Sequence, residues 1–420
     1  MRIVMGLQDF SAFAGTETYT LTIADELVRL GHEVTIHPGQ AGAIAVAARE
    51  RGVSVETAPE RLPDACDAVL AQDASSAYAL AERHPDAARL FIAHSEYFAA
   101  QSPPQLPGVC HAVVVLNERV DRHVAALASP PPVVRLRQPV DLKRFGARGG
   151  QPRVARRALI LGNYLRGPAA EAVVAACHDA GLEPVLSGVH TAPTHTPEQA
   201  IADVDVVIGV GRCVVEAMAG RRAAYVYGIA GGDGWVTPDT YAALEADGFG
   251  GTATDLTVDR ARLAADLAAW DPEMGPVNRQ LAHRHHDAAA HAAALVDVLR
   301  GLGERGPGPA ARPPDQAGEL ARLVRAEWQS WARYAGAIAE STALREDREA
   351  QAAEAERLRA ENEELRAQSA AAAESARAEL THAVAALEAE RARWAAFRAT
   401  RRFRLVAAVA APLDALRRRG

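Results

Sequence analysis

The sequence predicts an α/β protein: two Rossmann-like domains facing across a cleft, followed by a long α-helical coiled coil. Three observations predict it. Short apolar runs alternate with amphipathic helical patterns over residues 1–147, and the alternation restarts over 148–302. Residues 303–318 are rich in Gly and Pro and read as a linker. Over 319–400 the chain becomes Ala, Glu, Arg and Leu with almost no Gly or Pro, the composition of a long helix.

In chain order, residues 2–5 form a first strand, 18–30 an amphipathic helix stopped by Gly31, and 34–37 a second strand. Residues 41–51 read as helix and 53–56 as a short strand. Strands at 68–71 and 90–93 flank a helix at 77–83, and a strand at 112–116 feeds a helix at 118–127. Pro130–Pro132 and Gly149-Gly150 break the pattern, which resumes with strand 158–161, helix 169–180 and strand 183–186. Strand 204–208, helix 213–219 and strand 223–227 follow, and one helical stretch over 277–302 closes this half. Repeated βαβ units demand parallel sheets, and such sheets bind ligands at the carboxyl ends of their strands. With two facing domains, the site is expected in the cleft between them.

Composition narrows the function classes. The chain has 420 residues, 49% apolar, with a net charge of -7, which does not favour nucleic-acid binding. Cys66, Cys110, Cys177 and Cys213 are scattered, fitting a reducing compartment with no zinc or disulfide framework. The first residues read as a strand and not as a signal peptide, and no apolar run is long enough to span a membrane. Lys143 is the only lysine, so any other phosphate-holding cation must be Arg or His.

The most informative stretch is 205–219. An apolar strand rises to Ile208, Gly209-Val210-Gly211 turns, and a helical pattern follows with Glu216 about one turn inside it. Such a turn offers backbone N–H groups and the positive end of a helix dipole to a phosphate. A carboxylate one turn on can accept two hydrogen bonds from a ribose diol. The alternative is an ordinary βα turn with packing glycines and a solvated Glu216. Gly15-Thr16 reads either as a loop that approaches a ligand closely or as a helix start with Thr16 as N-cap. His94 follows a strand on the same rim, as a hydroxyl-binding group or a loop histidine capping the next helix. Ser95, Tyr97, Gln72 and Asp73 share that rim as candidate ligand contacts. In Gly231–Trp235, either Trp235 stacks on a ligand or the segment is a surface turn.

No metal site is expected. Asp203 and Asp205 stand at the amino end of their strand, away from the rim, and His283, His285, His286 and His291 read as a solvated helix face. In the C-terminal segment, Ala355, Leu358, Asn362, Leu365, Ser369, Ala372 and Ala376 keep an a/d heptad, which slips once before Leu380, Val384, Leu387 and Trp394 resume it. Fully helical, the segment extends about 120 Å. Asn362 at an a position favours a homodimer; the alternative is a single solvated helix. The tail, 401–420, joins Arg401, Arg402, Arg404 and Arg417–Arg419 to an apolar centre. It reads as a basic amphipathic helix for an anionic membrane surface, as a helix packed on a partner, or as a frayed end.

These pieces together resemble the GT-B glycosyltransferases that use nucleotide sugars, family 4 in particular, over residues 1–300. Ala14-Gly15-Thr16-Glu17 resembles that family's Gly-Gly-x-Glu loop, Gly31-His32-Glu33-Val34 its Gly-His-Glu-Val segment, and Phe91–Ser95 its histidine loop. Val113–Asn117 is similar to its strand before a helix, Gln138–Phe145 to its interdomain segment, and 205–219 to its donor loop. The resemblance implies Glu216 on the ribose and His94 near the reacting carbon. It also implies a second glutamate where Ile208 stands, and a basic residue where Asn163 stands, leaving Arg166, Arg212 or helix N–H groups for the diphosphate.

The implied function is transfer of a sugar from a nucleoside diphosphate sugar to a hydroxyl acceptor, with retention, without metal or cofactor, in envelope or surface glycan synthesis. The departing phosphate itself can take the acceptor proton. The acceptor is an unidentified glycan, lipid-linked or protein group, and the setting is cytoplasmic, peripheral to the inner face of the plasma membrane. The alternatives are a non-catalytic sugar-nucleotide sensor or scaffold, motivated by Ile208, and a nucleotide-sugar epimerase.

Overall fold

The computed structural model describes residues 1–146, 154–162, 165, 167–188, 196–254, 258–304, 313–402 and 404–405. Asn163, Arg166, residues 305–312 of the Gly/Pro linker and most of the basic tail lie outside them. Two compact units emerge, Met1–Trp328 and the chain from Gln329 onward.

The first unit carries two sheets. Strands β1 (Arg2–Phe10), β2 (Glu33–Ala41), β3 (Ser54–Val55), β4 (Ala68–Ala71), β5 (Ala88–Ala93), β6 (Ala112–Val115) and β7 (Val133–Arg135) form a parallel sheet ordered β3-β2-β1-β4-β5-β6-β7. The second sheet, ordered β12-β11-β10-β8-β9, is built from β8 (Arg157–Leu161), β9 (Glu183–Ser187), β10 (Val206–Gly209), β11 (Ala223–Gly228) and β12 (Gly231–Trp235). Only β12 runs antiparallel among its described pairings. β4, β5, β6, β10 and β11 are buried along their whole length, which is why they read as continuous apolar runs and not as alternating ones.

Two of the crossover helices start at side-chain caps that the sequence provides. The helices α1 (Gly15–Arg29), α2 (Ala43–Glu50), α3 (Ala74–Arg83) and α4 (Glu118–Ala125) belong to the first sheet. Asp73 caps α3 by accepting from the Ser76 N–H, and Asn117 caps α4 by accepting from the Val120 N–H. The second domain holds α5 (Pro168–Asp179), α6 (Pro197–Ala202), α7 (Arg212–Ala219), α8 (Tyr241–Ala246), α9 (Arg260–Ala268) and α10 (Met274–His285). Then α11 (Ala288–Gly303) returns to the first sheet, where Ala292, Leu295, Val296, Leu299 and Leu302 join the core of Ile3, Tyr19 and Leu90.

Several details differ from the sequence reading. The helical stretch over 277–302 is two helices, broken at His286-Asp287 where the chain changes domains. β1 runs on through Gly6, Gln8 and Asp9, because pairing with β2 continues to Phe10–Ala41 and outweighs their polarity. β7 is too short and too close to prolines to show a period, and the glycine-rich β12 shows none either. Residues 231–235 are therefore neither a ligand loop nor a surface turn. Trp235 packs edge-on against Tyr225 at 5.0 Å and donates to the Asp266 carbonyl.

The second unit contains most of α12 (Pro313–Ala399), an 87-residue helix. Its first turns belong to the first unit: Glu319 is buried, accepts from Tyr78 Oη and the Gln105 N–H, and pairs with Arg322 at 2.7 Å. Among the described residues no helix is long and apolar enough to cross a membrane.

Candidate functional site

The carboxyl ends of the central strands bring three groups of the first domain together. β4 ends just before Gln72, 1% exposed, and β5 just before His94, whose Nε2 lies 2.6 Å from Gln72 Oε1. Since that oxygen only accepts, His94 carries its proton on Nε2. Tyr19, fully buried on α1, meets the His94 ring edge-on at 4.9 Å. Burial, then the nearby Arg212 charge and His291, push the His94 imidazolium down to about 3. His94 is thus a neutral hydrogen-bonding group and not a cation at physiological pH.

The second domain contributes the start of α7. Arg212 Nε lies 2.8 Å from Glu216 Oε1, and both side chains are largely buried. Another Arg212 nitrogen sits 3.3 Å from Thr22 Oγ1 on α1, and a third 3.5 Å from the Pro139 carbonyl. One guanidinium therefore touches the second domain, the first domain and the segment that joins them. The glycines beside it have different jobs. A Cβ on Gly209 would stand 2.4 Å from the Leu161 carbonyl oxygen and 2.5 Å from Cys213 Sγ, so this glycine makes room for packing inside its own sheet. Gly211 holds φ at 67°, which glycine adopts without strain, and its N–H donates to the Phe249 carbonyl at 2.8 Å. That donor is already engaged within the fold. Ile208 is 0% exposed, in the core with Val206 and Tyr225.

The hinge is built from histidines that the sequence reading placed on a solvated face. That reading is wrong for two of them: His286 is 1% exposed and His291 7%. His286 Nδ1 donates to the Gln138 carbonyl at 2.7 Å and His291 Nδ1 to the Arg137 carbonyl at 3.0 Å. Each Nε2 then accepts a tyrosine hydroxyl, from Tyr241 at 3.0 Å and Tyr19 at 2.9 Å. The two chain crossings are also joined backbone to backbone, Val140 N–H to the His286 carbonyl and Ala288 N–H to the Val140 carbonyl. Helical spacing could not reveal this, because the helix breaks between the histidines. Burial holds both imidazoliums down at about 4.

Charged pairs across the cleft complete the domain contact. Arg119 on α4 reaches Asp247 at 3.6 Å, and Arg135 on β7 reaches Glu245 at 2.6 Å. These residues carried no sequence signal, since only the fold brings positions 110 or more apart into contact.

The remaining candidates divide clearly. Gly15 opens α1 with nothing within 4 Å of where its Cβ would be, so the space there is open. Thr16 is not the N-cap; that position is Ala14, and Thr16 Oγ1 accepts from Gln101 Nε2 at 3.4 Å. Asp73 is the α3 cap, engaged with the Gln8, Ser75 and Ser76 donors. Ser95 Oγ accepts from the Tyr97 N–H, and Tyr97, 62% exposed, lies beneath the Arg119 guanidinium at 5.8 Å. Asp205 accepts from the Arg156 and Arg157 N–H groups at the far end of its strand. Among the described residues no cluster of His, Cys, Asp and Glu is arranged to hold a metal.

No protein-family model and no curated protein matches the chain. Solved structures do. The Anabaena protein HepE, in complex with UDP and glucose, aligns with a TM-score of 0.51 at 11% identity, covering 72% of this chain and 100% of HepE. Its complex with UDP-glucose aligns at 0.51 and 12% identity over the same shares. A glycosyltransferase from Rickettsia africae aligns at 0.48 and 12% identity, covering 72% and 98%. At such identities the likeness speaks for architecture. Two Rossmann-like sheets, with strand ends facing across a hinged cleft, give this chain the GT-B fold of glycosyltransferases.

Proposed function

We propose that the chain transfers a sugar from a nucleoside diphosphate sugar to a hydroxyl acceptor, as a GT-B enzyme similar to family 4. One observation carries the reading: Gln72, His94 and Tyr19 of one domain and Arg212 and Glu216 of the other lie close together where the two domains meet. HepE, on the same fold, was solved with UDP-glucose.

Glu216 then takes the ribose hydroxyls. Arg212 takes the diphosphate, whose developing charge it stabilises as the sugar leaves, and Arg166 is the second cation that the sequence offers for it. Neutral His94 holds a sugar hydroxyl. The departing phosphate accepts the acceptor proton, so retention needs no strong protein base, metal or cofactor. Gly15 and Thr16 border the donor; Ser95, Tyr97 and Gln72 line the acceptor side, and Asp73 supports it as a cap. The basic tail carries the enzyme to the inner face of the plasma membrane, where envelope glycans are assembled.

Incubation with a panel of nucleotide sugars tests this: nucleoside diphosphate should be released, faster with acceptor present. A second reading rests on Ile208, which puts a core side chain where a sugar-reading carboxylate is expected. It describes a non-catalytic sugar-nucleotide sensor, and tight binding without release selects it. Conversion of the sugar without release would indicate an epimerase.

A further inference from the structure

The helix α12 runs unbroken from Pro313 to Ala399, through the point where the heptad slips. Along it Leu358, Leu365, Leu380, Val384, Leu387 and Trp394 are 47–65% exposed. A helix this long with an apolar stripe lacks the tertiary packing that normally stabilises such a face.

The charges beside the stripe identify what covers it. With Ala355 and Asn362 at a and Leu358 and Leu365 at d, Glu354 and Glu361 fall at g, and Arg359 and Arg366 at e. In a parallel, in-register pair, each g residue faces the e residue five positions on in the other helix. Glu354 then meets Arg359 of the second copy, Glu361 meets Arg366, and two-fold symmetry repeats both contacts. In an antiparallel pair g faces g and e faces e, which sets Glu against Glu and Arg against Arg. Asn362 agrees with the parallel choice, because at an a position it meets its own copy and their amides pair only in register. In the single chain Glu354 pairs with Arg357 of its own helix at 2.6 Å.

We propose that residues 354–394 join two copies of this chain as a parallel, in-register, two-stranded coiled coil. The pairing does not depend on the sugar-transfer reading.

The test uses the full chain carrying Ala355→Cys or, separately, Ser369→Cys. Each is treated with a mild oxidant beside the unsubstituted chain, whose own cysteines serve as control. Both variants should cross-link to themselves, and sedimentation should give twice the chain mass. Reversing Glu354→Arg and Glu361→Arg should raise the dissociation constant about tenfold, and adding Arg359→Glu and Arg366→Glu should restore it. A single-chain mass overturns the proposal. So does cross-linking only between the Ala355→Cys and Ser369→Cys chains when mixed, the signature of an antiparallel pair centred on Asn362.

Discussion

Arg212 and Glu216 form an ion pair at 2.8 Å, one helical turn apart, and the same guanidinium touches Thr22 of the opposite domain. The pair neutralises a carboxylate that is 5% exposed, and it parks a cation beside the cleft. A diphosphate offers Arg212 a denser anion than Glu216 does, and the exchange would release the carboxylate to a ribose.

Removing the two partners should therefore have different signatures. Arg212→Ala should weaken nucleoside diphosphate binding by about 10–100-fold, the worth of one or two charge-assisted hydrogen bonds, and nucleoside binding far less. Titration calorimetry with the nucleoside and its diphosphate measures the difference. Equal losses for both ligands would assign Arg212 to domain packing alone.

Glu216→Ala should weaken a ribonucleotide more than its 2′-deoxy counterpart, by about tenfold. Unchanged ribonucleotide affinity would remove Glu216 from the ribose.

His94 should leave no mark on the pH profile. Its folded value of about 3 lies below the ordinary 6.5, so the ring stays neutral from pH 5 to 8. His94→Ala should lower turnover by about 100-fold without shifting the profile. A lost inflection between pH 5 and 8 would mean that His94 titrates during the reaction.

Acid should loosen the hinge. His286 and His291 are neutral in the fold down to about 4, whereas the unfolded chain protonates histidine near 6.5. Their full contribution to stability is present above pH 6.5. It declines as the unfolded state takes up protons below that, and is lost as pH falls through about 4. Urea midpoints should drop between pH 7 and 4, and His291→Gln should flatten the drop. The same slope in the variant would place the proton uptake elsewhere.

Gly209→Ala should destabilise the second domain by roughly 1–3 kcal/mol, because its Cβ would overlap the Leu161 carbonyl oxygen, which is backbone and cannot step aside. Thermal unfolding measures this. An unchanged midpoint would mean that β8 and β10 can separate locally.

The sequence alone determined the fold class. Buried parallel strands must be apolar throughout, and crossover helices must be amphipathic, so both leave a local period. It also determined the continuous helix of the C-terminal segment and the strand-turn-helix at 205–219, whose glycines and Arg212 lie within one local motif. Tertiary structure alone decided what those residues touch. Gly209 turned out to serve β8, and Gly211 had its N–H taken by Phe249. His286 and His291 became the hinge because the chain breaks its helix to return to the first sheet. Local pattern reports which face of an element is buried; it carries no information on contacts between positions such as Thr22 and Arg212, which only the closure of two domains brings within 3.3 Å.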